Sequence, residues 1–133
     1  MQILKVDDRV YRSSLPDWFT GTVWLEEVAL PAAPSRLRAY RVTFGPGART
    51  AWHTHPIGQA LHIVSGIGRV QSAGGPVQTV RPGDTVLIAP GELHWHGAGP
   101  SHAMVHLAFH EMDQNGQEVE WAKEVTDVEY NAR

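Results

Sequence analysis

The chain has 133 residues, a formal charge of −3 and 42% hydrophobic residues, enough for one ordinary core and with little room for two domains. Its 11 Lys and Arg are scattered, which removes the electrostatic footprint of a nucleic-acid binder. No apolar run approaches the ~20 residues of a membrane helix, and the absence of cysteine excludes disulfide scaffolds, thiol catalysis and Cys-type zinc sites.

The N-terminal stretch Met1–Arg9 is mixed and charged and lacks the basic-then-apolar order of a signal peptide, so a cytoplasmic protein is expected. Beyond it, turn punctuation is dense: Gly45-Pro46-Gly47, Pro56-Ile57-Gly58, Gly74-Gly75-Pro76, Pro82-Gly83, Pro90-Gly91 and Gly97-Ala98-Gly99-Pro100. Short runs rich in β-branched and aromatic residues lie between these breaks, at 22–28, 37–44, 60–64, 85–88 and 103–109. Such runs at regular spacing predict an all-β sandwich or barrel. Pro31–Ser35 reads as a loop. Thr126-Asp127-Val128-Glu129 has the form of a capping box and predicts a short C-terminal helix or tail. The expected organisation is one domain over 1–133, with its barrel core at about 37–112.

Histidine is the informative excess, with eight in the chain. On a strand, residues two apart share a face, so His53 and His55 can approach one ion, as can His94 and His96. Gln59 follows His55 across a turn that can carry it onto a neighbouring strand. His106 lies in the apolar run 103–110, where Met104, His106, Ala108 and His110 share one face. One such pair is ordinary, whereas two pairs plus a histidine in an apolar strand point to a metal site. Imidazole suits Zn, Fe, Ni, Cu and Mn, so the ligand type does not select the ion.

The pattern Gly47-x5-His53-x-His55-x3-Gln59-x6-Gly66 resembles the first cupin motif, with Gln where Glu is usual. Gly83-Asp84 to Pro90-Gly91-x2-His94 resembles the second, with Ala89 at a common Pro position. The resemblance implies a cupin jelly-roll barrel, a double-stranded β-helix. It extends further: Asp17–Val23, Pro46–Gln59 and His94–Ala98 resemble the small bacterial manganese-dependent cupin hydroxynitrile lyases. That group implies His53, His55, Gln59 and His94 as metal ligands, with His96 and His106 as acid–base groups beside the ion. The implied cofactor is a divalent metal, Mn2+ first, with Fe2+, Zn2+ and Ni2+ as alternatives. The implied reaction is cleavage or formation of cyanohydrins such as mandelonitrile.

A metal in this site acts as a Lewis acid toward a hydroxyl or developing carbonyl oxygen. Three imidazoles and an amide leave its charge uncompensated, which strengthens its pull on alkoxide. Strand parity places Tyr40, Val42, Phe44, Leu61, Ile63, Met104, Ala108 and His110 as candidate pocket-lining residues. It turns His62 outward and leaves His102 in a loop. Trp52 and Trp95 alternate with the metal histidines and point away from the interior, where a second sheet or a partner subunit would cover them. A homo-oligomer, dimer or tetramer, is expected on that ground. Arg49 reads either as a surface residue or as an anion contact at the pocket rim. Two other functions fit the same pattern, a cupin dioxygenase using Fe or another divalent metal, and a non-catalytic cupin binding a metal or small ligand.

Overall fold

A computed structural model describes residues 1–13 and 16–132. In chain order the strands are β1 (Tyr11–Ser13), β2 (Phe19–Thr20), β3 (Val23–Ala29), β4 (Leu37–Phe44), β5 (Arg49–Thr50), β6 (His53–Thr54) and β7 (Gln59–Gly66). They continue with β8 (Gly68–Ser72), β9 (Gln78–Val80), β10 (Thr85–Ile88), β11 (His94–Ala98), β12 (Met104–Glu111) and β13 (Glu120–Trp121). One helical turn, α1 (Asp127–Tyr130), follows. Its N-cap is Thr126, with the reciprocal Thr126–Glu129 bonds of a capping box.

The strands form two sheets. The first has the order β1-β3-β4-β12-β7-β10. At its centre β12 runs antiparallel to both neighbours, setting His106 opposite Val42 and Ile63, Ala108 opposite Tyr40 and Leu61, and His110 opposite Gln59. Because alternate residues share a face, this register carries one continuous inward row from Gln59 and His110 to Phe44 and Met104. In the second sheet β11 pairs with β8 along one edge and with β5 and β6 along the other. Beyond these lie β2 on β5 and β13 on β6.

The two inner faces enclose a core of Val23, Val42, Phe44, Ile63, Val80, Ala98 and Met104. Residues on β11 are buried on both faces. At Gly97 only a hydrogen fits, since a Cβ would run into the Ala48 carbonyl and the Arg49 backbone.

Trp52 and Trp95 do face away from the barrel interior, as parity predicts. Their cover is the chain's own tail: both pack in a separate cluster with Val125 and Tyr130. Arg49 fastens that tail. It is buried, and its Nη2 donates to the Val125 carbonyl at 2.7 Å and to Asp127 Oδ1 at 2.8 Å. Its guanidinium lies 4.6 Å from the centre of the Tyr130 ring, whose hydroxyl donates to the Ala98 carbonyl at 2.6 Å. Neither sequence reading of Arg49 describes this role, because its partners lie 76 and 78 residues away.

Candidate metal centre

The inner faces of the two sheets leave a cavity of about 530 Å³. Among its lining residues are His53, His55, Gln59, His96, His106 and His110, together with Tyr40, Val42 and Ala108. Phe44, Leu61, Ile63 and Met104 were expected to line it and do not. All four are at most 1% exposed and belong to the packed core, because the same inward row runs past the cavity into close-packed interior. His62 is exposed and meets Thr85 Oγ1 at 3.0 Å. His102 is exposed in its loop.

His53 lies on β6 opposite His94 on β11, and their ring centres are 4.2 Å apart. Strand β6 ends at Thr54, so His55 sits in the turn that follows rather than on the strand. Its ring still comes within 5.0 Å of His53 and 5.6 Å of His94. Ligand atoms of His53, His94 and His96 lie within 4.8 Å of one another. His96 therefore stands beside the pair and is not remote from it.

Three of these imidazoles are oriented in the same way. The Nδ1–H of His53 donates to the Ala51 carbonyl at 2.9 Å, that of His94 to the Glu92 carbonyl at 2.9 Å, and that of His55 to the Glu118 carbonyl at 2.6 Å. A proton fixed on Nδ1 leaves the Nε2 lone pair free, which is how proteins prepare a histidine to bind a metal. His55 Nε2 is buried without a partner. His94 Nε2 faces Gln59 Oε1 at 3.3 Å, so two lone-pair atoms look at each other. A cation relieves that arrangement. The donor set of imidazole nitrogens and one amide oxygen suits a borderline divalent ion.

The pair His96–His106 is built differently. His106 is fully buried on β12, and its Nε2 is 3.0 Å from His96 Nδ1. The outer atoms, His96 Nε2 and His106 Nδ1, are buried and unpartnered. One ring donates and the other accepts, so the pair can pass a proton between them.

Burial holds these rings neutral. Desolvation pushes His55 and His106 down to about 4, and carries His53 and His96 well below the usual imidazole range. For His53 the neighbouring imidazoles His94 and His55 add to the effect, and for His96 chiefly His106. His94 is lowered by burial, against the Glu92 carbonyl.

The metal-free protein is therefore expected to lose stability on acidification. An unfolded chain protonates its histidines near pH 6.5, whereas His55 and His106 resist until about 4. Between those values the unfolded chain binds more protons, so the stability present above pH 6.5 drains away as pH falls, on the order of 3 kcal/mol for a fully buried group. Calorimetry of chelator-treated protein from pH 7 to 4 reads this as a falling thermal midpoint. His106→Leu should flatten the curve, and a flat wild-type profile would contradict it.

Glu118 had no signal in the sequence. Its contribution to His55 is a backbone carbonyl, which any residue supplies. Its carboxylate accepts from Tyr40 Oη at 3.0 Å and from His110 Nε2 at 3.1 Å, with Arg38 Nε at 3.8 Å. The His110 bond is the main reason the Glu118 carboxyl is held below the usual carboxylate range. Burial, with Glu118 next, pushes the Tyr40 phenol up to about 12. This network ties the stretch after β12 to the cavity mouth.

The comparisons agree with this geometry. Residues 40–109 match the cupin domain family. The chain is 46% identical over 130 residues to a protein of Granulicella tundricola named (R)-mandelonitrile lyase, covering 98% of each. A solved cupin-like protein from Thermotoga maritima superposes with a TM-score of 0.85 at 36% identity, over 95% of this chain and 94% of that one. The polyketide cyclase RemF from Streptomyces resistomycificus shares the fold alone, with a TM-score of 0.75 and 16% identity over 98% and 90% of the two chains. With two packed antiparallel sheets, inward histidines on β6 and β11, and a family match across the barrel strands, this chain belongs to the cupin family.

Proposed function

We propose that the protein is a metal-dependent hydroxynitrile lyase that cleaves or forms cyanohydrins such as mandelonitrile. The observation that carries the reading is the set of buried imidazoles whose Nδ1 atoms are anchored to carbonyls, of which His53 and His55 line one cavity with the neutral pair His96–His106. The near-full-length similarity to a mandelonitrile lyase supports it.

His53, His55, Gln59 and His94 would hold the ion, and Mn2+ is the proposed metal. When bound, it supplies Lewis acidity toward the substrate oxygen. Because all four ligands are neutral, nothing in the set offsets its charge.

The chain's own residues handle the proton. Cleavage breaks the bond between the carbinol carbon and the nitrile carbon, and its electron pair leaves with cyanide. The hydroxyl proton must go to a base, and cyanide must gain one. A His96 that donates Nδ1–H to His106 Nε2 presents a free lone pair at its own Nε2, which can accept the hydroxyl proton. The same nitrogen can then return that proton to cyanide, so no net charge is left in the site. Burial lowers His96, so its protonated form gives the proton up readily to cyanide, while its uptake of the hydroxyl proton would rely on the acidity that a bound cation lends that hydroxyl. Val42 and Ala108 give the cavity an apolar wall.

The rest of the reading is a single cupin domain over residues 1–133, a cytoplasmic location and a homo-oligomer, the last without the support of Trp52 and Trp95, which the chain's own tail covers. No helix among the described residues is long and apolar enough to cross a membrane. The partner is a small molecule.

Benzaldehyde release from mandelonitrile at mildly acidic pH tests the function, with Mn2+-loaded protein compared against chelator-treated protein. Metal-dependent release favouring one enantiomer is the expected result. Release no faster than the blank from fully loaded protein would end the lyase reading for that substrate.

A further inference from the structure

The cavity has an aromatic wall that the proton chemistry does not use. The indoles of Trp18 and Trp121 stack with ring centres 5.3 Å apart and planes 7° from parallel. Phe19 packs on Trp121 at 5.5 Å with a tilt of 58°. Trp121 in turn lies 4.7 Å from the ring of His53. All three line the cavity. They meet because β2 and β13 flank the second sheet at β5 and β6. Across from them the first sheet contributes Leu25, Val42 and Ala108.

The exposure of Trp18 separates a binding wall from ordinary packing, and behind it stand Phe19, buried in the core, and Trp121, half-buried against that core. Where the chain uses indoles as structural filler it buries them, Trp95 to 0% and Trp52 to 6%. Trp18 keeps 39% of its surface exposed while lining the cavity, so part of its surface is available to a ligand. A flat stacked pair offers a planar guest more than area. Aromatic rings gain from offset-stacked or edge-on contact at centre distances of 4.5–7 Å, whereas an alkyl group gains only by leaving water.

We propose that Trp18, Phe19 and Trp121 form the subsite for a planar aromatic ring, and that this wall sets the preference of the cavity for aryl over alkyl substrates. The ring lies between the indole stack and the aliphatic wall of the first sheet, with the carbinol end toward His53. The proposal rests on the lyase reading for the reaction, but the ring subsite can be tested without turnover.

Two measurements are made on Mn2+-loaded wild type, Trp18→Leu and Trp24→Leu. Trp24 is 48% exposed on the strand face opposite Leu25 and serves as the control. The first is the ratio of kcat/KM for mandelonitrile to that for acetone cyanohydrin. The second is the dissociation constant of benzaldehyde by ligand-observed NMR. Trp18→Leu is expected to lower the ratio about tenfold, mostly through KM for mandelonitrile, and to weaken benzaldehyde binding by about the same factor. Trp24→Leu should move neither by more than about twofold. Trp121→Phe keeps a ring against His53 and should act in the same direction with a smaller effect.

An equal loss on both substrates, or unchanged benzaldehyde affinity in Trp18→Leu, would overturn the proposal. If the wild type cleaves neither cyanohydrin, binding decides. Benzaldehyde held by the wild type and lost from Trp18→Leu keeps the ring subsite while the lyase reading fails. No benzaldehyde binding by the wild type ends the subsite.

Discussion

His94→Ala is expected to abolish stoichiometric metal retention and, with it, turnover. His94 is 3% exposed, is oriented by the Glu92 carbonyl, and presents Nε2 to Gln59 Oε1. Losing a partner that merely orients a ligand weakens metal binding about 10- to 100-fold, so losing the ligand itself should cost at least the upper end of that range. Metal content after dialysis and a calorimetric titration with Mn2+ read the effect. His62→Ala, on an exposed ring outside the cavity, should retain a full complement.

The same titration on two further variants separates two ligand sets. One contains His53, His55, Gln59 and His94. The other is the tightest imidazole cluster, His53, His94 and His96. His55→Ala should weaken binding as His94→Ala does, while His96→Ala should leave it nearly intact. The reverse pattern would move His96 into the coordination sphere and take His55 out. An unimpaired His94→Ala would sink the site as drawn.

The second large effect is expected at His106. His106→Ala should keep its metal and lose about 10- to 100-fold in kcat, the usual cost of removing a partner that orients a working histidine. His106 touches the centre only through His96 Nδ1, so its removal unpairs a buried nitrogen without removing a ligand. Alanine also leaves a cavity at a fully buried position. His106→Gln fills more of that space and serves as the second variant, recovering thermal stability but little turnover. If His106→Ala instead loses metal and excess Mn2+ restores its activity, His106 supports the ion rather than the proton.

Several elements were legible because their signals are local. Strand β10 coincides with the run Thr85–Ile88 between two turns, and β4 with Leu37–Phe44. The capping box at Thr126 needs only four residues to be read. Strand parity also placed His106, Ala108 and His110 on one inward row, and the cavity is lined by all three.

What stayed hidden depends on long-range contact. The expectation that His53 and His55 share one strand missed the end of β6 at Thr54. His55 is held instead by a carbonyl 63 residues away, and backbone groups carry no sequence signature. Parity also could not say where the cavity stops, so Phe44, Leu61, Ile63 and Met104 were read as lining when they are core. The outward faces of Trp52 and Trp95 were read correctly, but their cover is a tail with no hydrophobic period of its own, only the isolated anchors Val125 and Tyr130.

That tail has a consequence for the life of the nascent chain. The carbonyl that orients His55 is made 63 residues after it, roughly 3–12 seconds later at ordinary translation speeds of about 5–20 residues per second. Trp121, which packs on His53, follows later still. Throughout that interval His53 already has its Ala51 carbonyl two residues away, but His55 has been synthesised and is unanchored, free to sample both tautomers and any passing cation. A ribosome that stalls between β12 and β13 would thus hold most of a barrel whose chemistry has not yet been set.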